Sequence, residues 1–331
     1  MNNMNIRYWG NLQSPVDAMQ KISAICWSPN SKRQAVAASD RVIHFYDETG
    51  TKRDKFSIRP ADKENRSYIV RALAFSPDSQ KLAVAQSDSI VFIYRLGSEW
   101  GDKKAICNKF SQGASVTCMT WPNERHSELV IGLADGKVKI CQLKTNKSQP
   151  CFAQEHFCVS ICSSPDGASI AAGYLDGSII AMNIDTKSKT KIMHSTIPNA
   201  LAWGQHILAA GNDGVIAFYE ASGDRFHHFD YSKDERVKEF TCAAFNATGE
   251  TCVVGNFDRF YAFNFNAKRP TWDEICCKKI QNYYSVTSVA WKHDGSKIGI
   301  GSLCGSVDIF DVSLKKSRYK GKFEFTYVSL S

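Results

Sequence analysis

The sequence predicts an all-β fold, a seven-bladed β-propeller whose blades are four antiparallel strands, and three observations carry that expectation. A unit of hydrophobic strand, tight turn and second strand ending near an aromatic residue recurs along the 331 residues. Its turn residue is Asp40, Asp88, Asp135, Asp176, Asp213, Asp258 and finally Cys304, at intervals of 37 to 48 residues. Apolar and polar positions alternate around each turn, and Gly follows the turn residue in four of the seven copies, which is hairpin patterning.

The interval is that of blades of the WD40 type, and the units are read in one frame. Unit one runs from Ile22 to Pro29, through residues 34–38, to the strand Asp40–Asp47. Unit two repeats it from Val70 to Pro77, through Leu82–Ala85, to Asp88–Tyr94. Unit three holds Val116–Trp121 and Asp135–Ile140, and unit four Val159–Pro165 and Asp176–Ile180. Units five, six and seven pivot on Trp203 with Asp213, Phe245 with Asp258, and Trp291 with Cys304. A single unit cannot bury its own faces, whereas seven stacked around an axis can.

A ring of sheets leaves an exposed strand edge unless one blade combines both chain ends. The segment 5–13 reads as an outer strand without a blade of its own, so it is expected to complete blade seven in a propeller domain of residues 1–321. The tail at 322–331, with Phe323-Glu324-Phe325-Thr326-Tyr327-Val328, is expected to begin a further segment, a second propeller in a longer chain.

Composition excludes several classes. Hydrophobic content of 43% and charged content of 22% are those of an ordinary globular protein. No apolar run approaches the roughly 20 residues that span a bilayer, and the start lacks a secretion signal, so a cytoplasmic chain is expected. The 12 cysteines lack paired spacing and read as free thiols in a reducing compartment. A net charge of +8 is too modest at this length to imply nucleic acid. The basic residues concentrate in the connections between the third and fourth strands of the blades, including Lys144, Lys147, Lys187 and Lys189, a pattern that leaves an anionic membrane surface open as a partner.

Catalytic, cofactor and metal motifs are absent. The stretch Gly299–Gly305 has the wrong spacing for a dinucleotide loop and is followed by a strand rather than a helix. His156, Cys158, Cys162 and nearby Cys151 match no zinc pattern, and strand alternation places Cys158 and Cys162 on one side of their strand. Cys304 with His293 is the nearest approach to a nucleophile and base, but Cys304 occupies a structural turn position. The repeated turn aspartates are expected to satisfy donors of tight turns. No small-molecule substrate is indicated. Binding is expected in the loops: Arg59, Lys63, Arg66, Tyr231 and Lys233 on one rim, Trp100, Lys103 and Lys104 on the other.

Between the structural positions lie more particular blocks: Tyr46–Gly50, Arg53–Ser57, Pro60–Asp62, Ala74–Ser79, Trp100–Lys104, Ile106–Phe110, Gly132–Val138, Lys144–Ser148, Phe229–Ser232 and Lys322–Val328. In these the chain resembles the N-terminal propellers of the intraflagellar transport protein 172 family, with the weakest match at 151–163 and 185–195. The Arg53–Ser57 and Trp100–Lys104 blocks carry most weight, because the fold does not dictate loop sequence. The resemblance implies a subunit of the intraflagellar transport B complex, located in the cytoplasm, the cilium and the ciliary base. It also implies partners among the other B-complex subunits, including one with a calponin-homology domain and coiled coil. The leading expectation is a non-catalytic interaction scaffold. A membrane-coat propeller reading anionic lipid and a propeller hydrolase are the alternatives.

Overall fold

Both faces of every repeated unit are apolar, and the computed structural model shows where they go. It describes residues 4–14, 20–62, 67–314, 317–319 and 323–325, with side chains described up to residue 313. Seven four-stranded antiparallel sheets form the blades of a β-propeller. The first strands of successive blades, such as Ile22–Trp27 and Val70–Phe75, touch one another around the ring, and Ile22–Trp27 also meets Val286–Trp291 of blade seven. These are the inner strands.

The second strands explain why the sequence reads as continuous hydrophobic runs. In Arg33–Ala38, Ala35 and Ala37 pack toward blade two, whereas Val36 and Ala38 pack toward blade seven. In Lys81–Gln86, Leu82 and Val84 face blade one while Ala83 and Ala85 face blade three. Successive side chains point to opposite faces of a strand, so a blade between two others must be apolar on both. Among the described residues the core accordingly divides into seven clusters, each between adjacent blades.

Blade seven draws its strands from both ends of the chain. The strand Met4–Gln13 pairs antiparallel with Val307–Leu314, from Met4 opposite Leu314 to Gln13 opposite Val307, with two register shifts. Ile6 is 2% exposed and joins the cluster between blades six and seven, and Leu12 packs into the cluster between blades seven and one. Trp9 lies under the Lys297 ammonium at 4.0 Å. Its ring also lies so near Gly50, in blade one, that a Cβ there would meet it at 2.8 Å. The outer strand thus reaches past its own blade to the next. Phe323–Phe325 pairs with Ser317–Tyr319 in a separate two-stranded sheet; Lys322 and 326–331, part of the expected further segment, lie outside the described residues.

The turns between second and third strands explain the recurrent Gly. Gly136, Gly177, Gly214 and Gly305 have φ of 79°, 84°, 74° and 93°, and Arg41 and Ser89 adopt the same left-handed geometry at 64° and 66°. Gly136 has a second constraint, since a Cβ would lie 2.1 Å from the Gln154 carbonyl oxygen.

Ile6→Ala removes buried volume from the closing strand and is expected to cost about 2–5 kcal/mol of unfolding free energy, measured by urea denaturation. A cost under about 0.5 kcal/mol would show that this strand contributes little to the ring.

Candidate interaction rim

The connections divide between two rims. One carries the turns between second and third strands together with the connections from each outer strand to the next blade. The other carries the turns between first and second strands and those between third and fourth.

Five of the eight large apolar side chains exposed among the described residues lie on the first rim. They are Ile69 at 37%, Phe157 at 41%, Leu175 at 51%, Met193 at 60% and Tyr284 at 58%. The fold fixes their backbone but not their identity. The residue just before the inner strand accepts a hydrogen bond from the residue just after the second strand: Ser39 to Lys21 (2.9 Å), Ser87 to Ile69 (3.0 Å), Ala134 to Ser115 (2.9 Å) and Leu175 to Phe157 (3.0 Å). Lys21 and Ser115 show that a polar side chain serves equally well there. Blade four instead pairs Phe157 with Leu175, and Met193 ends its outer strand at the same rim. At blades six and seven, Tyr284 stacks edge-on against Phe257 at 4.9 Å.

The turn carboxylates on this rim do not act uniformly. Asp40, Asp135, Asp176 and Asp213 accept from the backbone N–H two residues on, at 3.0, 3.3, 3.0 and 3.1 Å. Asp88 instead accepts from the Ala61 N–H at 2.8 Å, tying the connection between blades one and two. Asp258 is drawn to two cations, Arg259 at 2.7 Å and Lys279 at 3.5 Å.

The sequence candidates on this rim are spread around the ring. Arg59 is exposed between blades one and two, and its carbonyl accepts from Gln86 Nε2 at 3.1 Å. Lys63 and Arg66 lie outside the described residues. Tyr231 and exposed Lys233 follow the outer strand of blade five. Tyr231 is engaged: its hydroxyl donates to Glu274 at 2.6 Å, its ring lies 4.8 Å from that of Tyr261, and burial pushes its phenol pKa up. It helps wall a cavity of about 530 Å³ with Arg236, Arg259, Cys277 and Lys279.

On the other rim, two of the three candidates hold blades together. The Arg33 guanidinium lies 4.8 Å over Trp100 and donates to the carbonyls of Gly97 (2.8 Å) and Ser98 (2.9 Å). Lys104 is only 8% exposed along its side chain and forms an ion pair with Asp54, which also accepts from the Gly101 N–H at 3.0 Å. Both are expected from the sequence to bind a partner from this loop; in the structure Trp100 and Lys104 clamp the loop of blade two onto blade one. Lys103 remains exposed. Arg53 is held by Asp47 at 2.5 Å, and Arg125 by Glu128 (2.7 Å) and Asp185 (2.5 Å). Part of this rim's positive charge is therefore internally paired.

The weak chemical candidates also separate. Cys304 sits on the first rim with its sulfur 2.9 Å from Ser302 Oγ, whereas His293 lines a cavity of about 310 Å³ with Trp203, Phe245 and Trp291 on the other. Cys158 and Cys162 face different blades: Cys158 packs between blades three and four and Cys162 between four and five. A register shift between Cys158 and Ser160 breaks the alternation that placed them together. Among the described residues, no three His, Cys, Asp or Glu side chains converge as a metal site would require. Sequence reasoning missed Phe157, Leu175, Met193 and Tyr284, whose signal is an apolar residue at a rim position where other blades carry polar ones.

Two titrations bear on stability. Burial pushes the Asp47 and Asp54 carboxyls up, but hydrogen bonds from Thr49 and Arg53, and from Lys104 and Gly101 respectively, outweigh it and hold both below the ordinary value of 3.8. Burial lowers His44, His194 and His206. His206 accepts the Trp272 indole N–H at Nδ1 (3.2 Å), leaving its Nε2 proton for Glu220 (3.2 Å).

The family described as NUP159/214 beta propeller matches residues 44–210, and a WD domain, G-beta repeat, matches residues 14–47. Curated relatives align over 99% of the chain. The chain is 46% identical to "Intraflagellar transport protein 172" of Chlamydomonas reinhardtii, 43% to its homolog in Homo sapiens and 36% to "Intraflagellar transport protein osm-1" of Caenorhabditis elegans. The chain spans 19% of the length of each of these relatives.

Lys104→Ala leaves Asp54 without its cation and is expected to cost about 1–3 kcal/mol in chemical denaturation. Stability is expected to fall first as pH drops through about 6.5, because the unfolded chain binds protons that the buried imidazoles resist. It falls again below about 3.9, because the folded carboxylates take up protons less readily than the unfolded ones. A flat profile from pH 7 to 5 would contradict the imidazole assignment.

Proposed function

The chain belongs to the WD40-type β-propellers as a homologue of intraflagellar transport protein 172 over the fifth of those proteins that it matches, and on that premise we propose that it is a non-catalytic docking scaffold of intraflagellar transport. It works within the transport B complex, in the cytoplasm, at the ciliary base and in the cilium, and its partners are other subunits of that complex, including one with a calponin-homology domain and coiled coil. One observation supports docking at a particular place: exposed apolar side chains gather on one rim without a packing role that requires them. Scattered exposed apolar residues are normal on a protein surface, but a patch of them marks an interaction site, and Phe157, Leu175 and Met193 all belong to the same rim of blade four.

The physical reason is that the ring resists deformation. Each blade is buried on both sides, so the rim presents its side chains with little ordering cost on binding. Aromatic and apolar anchors then supply most of the binding energy, whereas exposed lysines contribute little. Phe157, Leu175 and Met193 are the anchors at blade four; Arg59 and Lys233 flank other parts of the same rim, and Lys63 and Arg66 follow Arg59 closely in the sequence.

Replacing Phe157 and Leu175 together by Asp is expected to weaken capture of B-complex subunits about tenfold or more, a loss of at least about 1.4 kcal/mol, in binding assays with purified subunits. The thermal midpoint should stay unchanged, since neither side chain is buried. Unchanged capture by the double variant, with capture lost on reversing Lys103 and Lys144 to Glu, would move the docking surface to the other rim.

A further inference from the structure

We propose that Cys118 and Cys158 form a modifiable thiol pair, oxidised by a hydroperoxide to a disulfide that staples blade three to blade four. The two sulfurs lie 3.6 Å apart across the blade interface, on the inner strands Val116–Thr120 and Cys158–Ser163. A disulfide requires about 2.05 Å, so the closing movement is small and can be shared between two side-chain rotations.

The surroundings leave room for that movement. Gly132 lies opposite Cys118 in the register of blade three. A Cβ at Gly132 would come within 2.5 Å of the Cys118 sulfur and 2.6 Å of the Cys158 sulfur, so any larger residue would push the thiols aside. The bulge after Cys158 turns Cys162 toward blade five and leaves Cys118 as its partner. Cys158 is fully buried and Cys118 partly so.

The two thiols are also unequal. The hydrogen bond between them draws the Cys118 pKa down, against the opposing effect of burial, and drives the Cys158 pKa up. Cys118, the partly exposed one of the two, is the sulfur that peroxide reaches and the one that attacks it. Its thiolate takes one oxygen, the O–O bond breaks, and hydroxide leaves to give a sulfenic acid. The Cys158 thiol then attacks that sulfur, forming the S–S bond and expelling the sulfenic hydroxyl with its own proton as water, while the proton that Cys118 lost on becoming a thiolate neutralises the hydroxide. Two thiols and one hydrogen peroxide give one disulfide and two waters. In a reducing compartment the bond is transient, being reversed by thiols.

Its consequence follows from position. Cys158 directly follows Phe157 in the chain, so the staple fixes the strand that presents the exposed aromatic of blade four. It also closes a covalent loop across two blades, which constrains the unfolded chain.

The test uses the protein with the exposed Cys107 and Cys277 changed to Ser, treated with hydrogen peroxide, alkylated and mapped as non-reduced peptides. The expected result is one crosslinked species joining Cys118 to Cys158, with a higher thermal midpoint that dithiothreitol reverses. Cys118→Ser and Cys158→Ser should each abolish both effects, and Cys162→Ser should abolish neither. Full alkylation of both thiols after peroxide, or crosslinks to Cys162 in their place, would overturn the proposal. Because the parent protein's peptide map decides this alone, a serine variant that fails to fold does not leave the question open.

Discussion

Everything in this molecule depends on each blade burying both of its faces. A four-stranded sheet that is apolar on two sides is insoluble alone and stable only between two neighbours, and the last neighbour is supplied only when the ring closes. Closure falls to a strand from the opposite end of the chain: Met4–Gln13 completes the seventh sheet, and its Trp9 reaches on to Gly50 of the first. That strand puts the ring under a long-range constraint, because Ile6 and Phe310 share one cluster although they lie at opposite ends of the chain. Smaller ties between blades follow the same logic. The Ser115 hydroxyl donates to the Ser87 carbonyl at 2.7 Å, Ser160 to Pro198 at 2.6 Å and Thr287 to Ile22 at 2.7 Å.

How much of this the amino-acid sequence reveals depends on the range of the interaction. The seven repeats and their turns are legible because the causes are local: an Asp side chain accepts from the N–H two residues on, and Gly supplies a positive φ. Interactions between blades are not legible. Trp100 and Lys104 stand in a loop whose sequence resembles a binding loop, yet their partners are Arg33 and Asp54, far away in the chain. The alternation of a strand gives Cys158 and Cys162 one face, and a single bulged residue gives them two. Phe157 and Leu175 look like ordinary strand ends until the backbone bond between them places both side chains on the rim.

The same contrast separates scaffold from function. The turn carboxylates repeat around the ring and stabilise it, so they say little about what the ring holds. The apolar rim residues do not repeat. Ile69 and Phe157 stand just before inner strands, where Lys21, Ser115 and Ser285 serve elsewhere, and their exposure forgoes the stabilisation that burial would give. A rigid ring with exposed apolar side chains on one rim and partly paired charges on the other is suited to presenting a fixed surface for assembly.

The most direct measurement of that claim is hydrogen exchange on the purified propeller, free and within assembled intraflagellar transport particles. The account expects slower exchange on assembly at 67–69, 155–157, 193–197 and 281–285, with little change at 29–32, 77–80 and 292–296 on the opposite rim. Protection confined to the second set, with the first exchanging as fast as in the free protein, would contradict it.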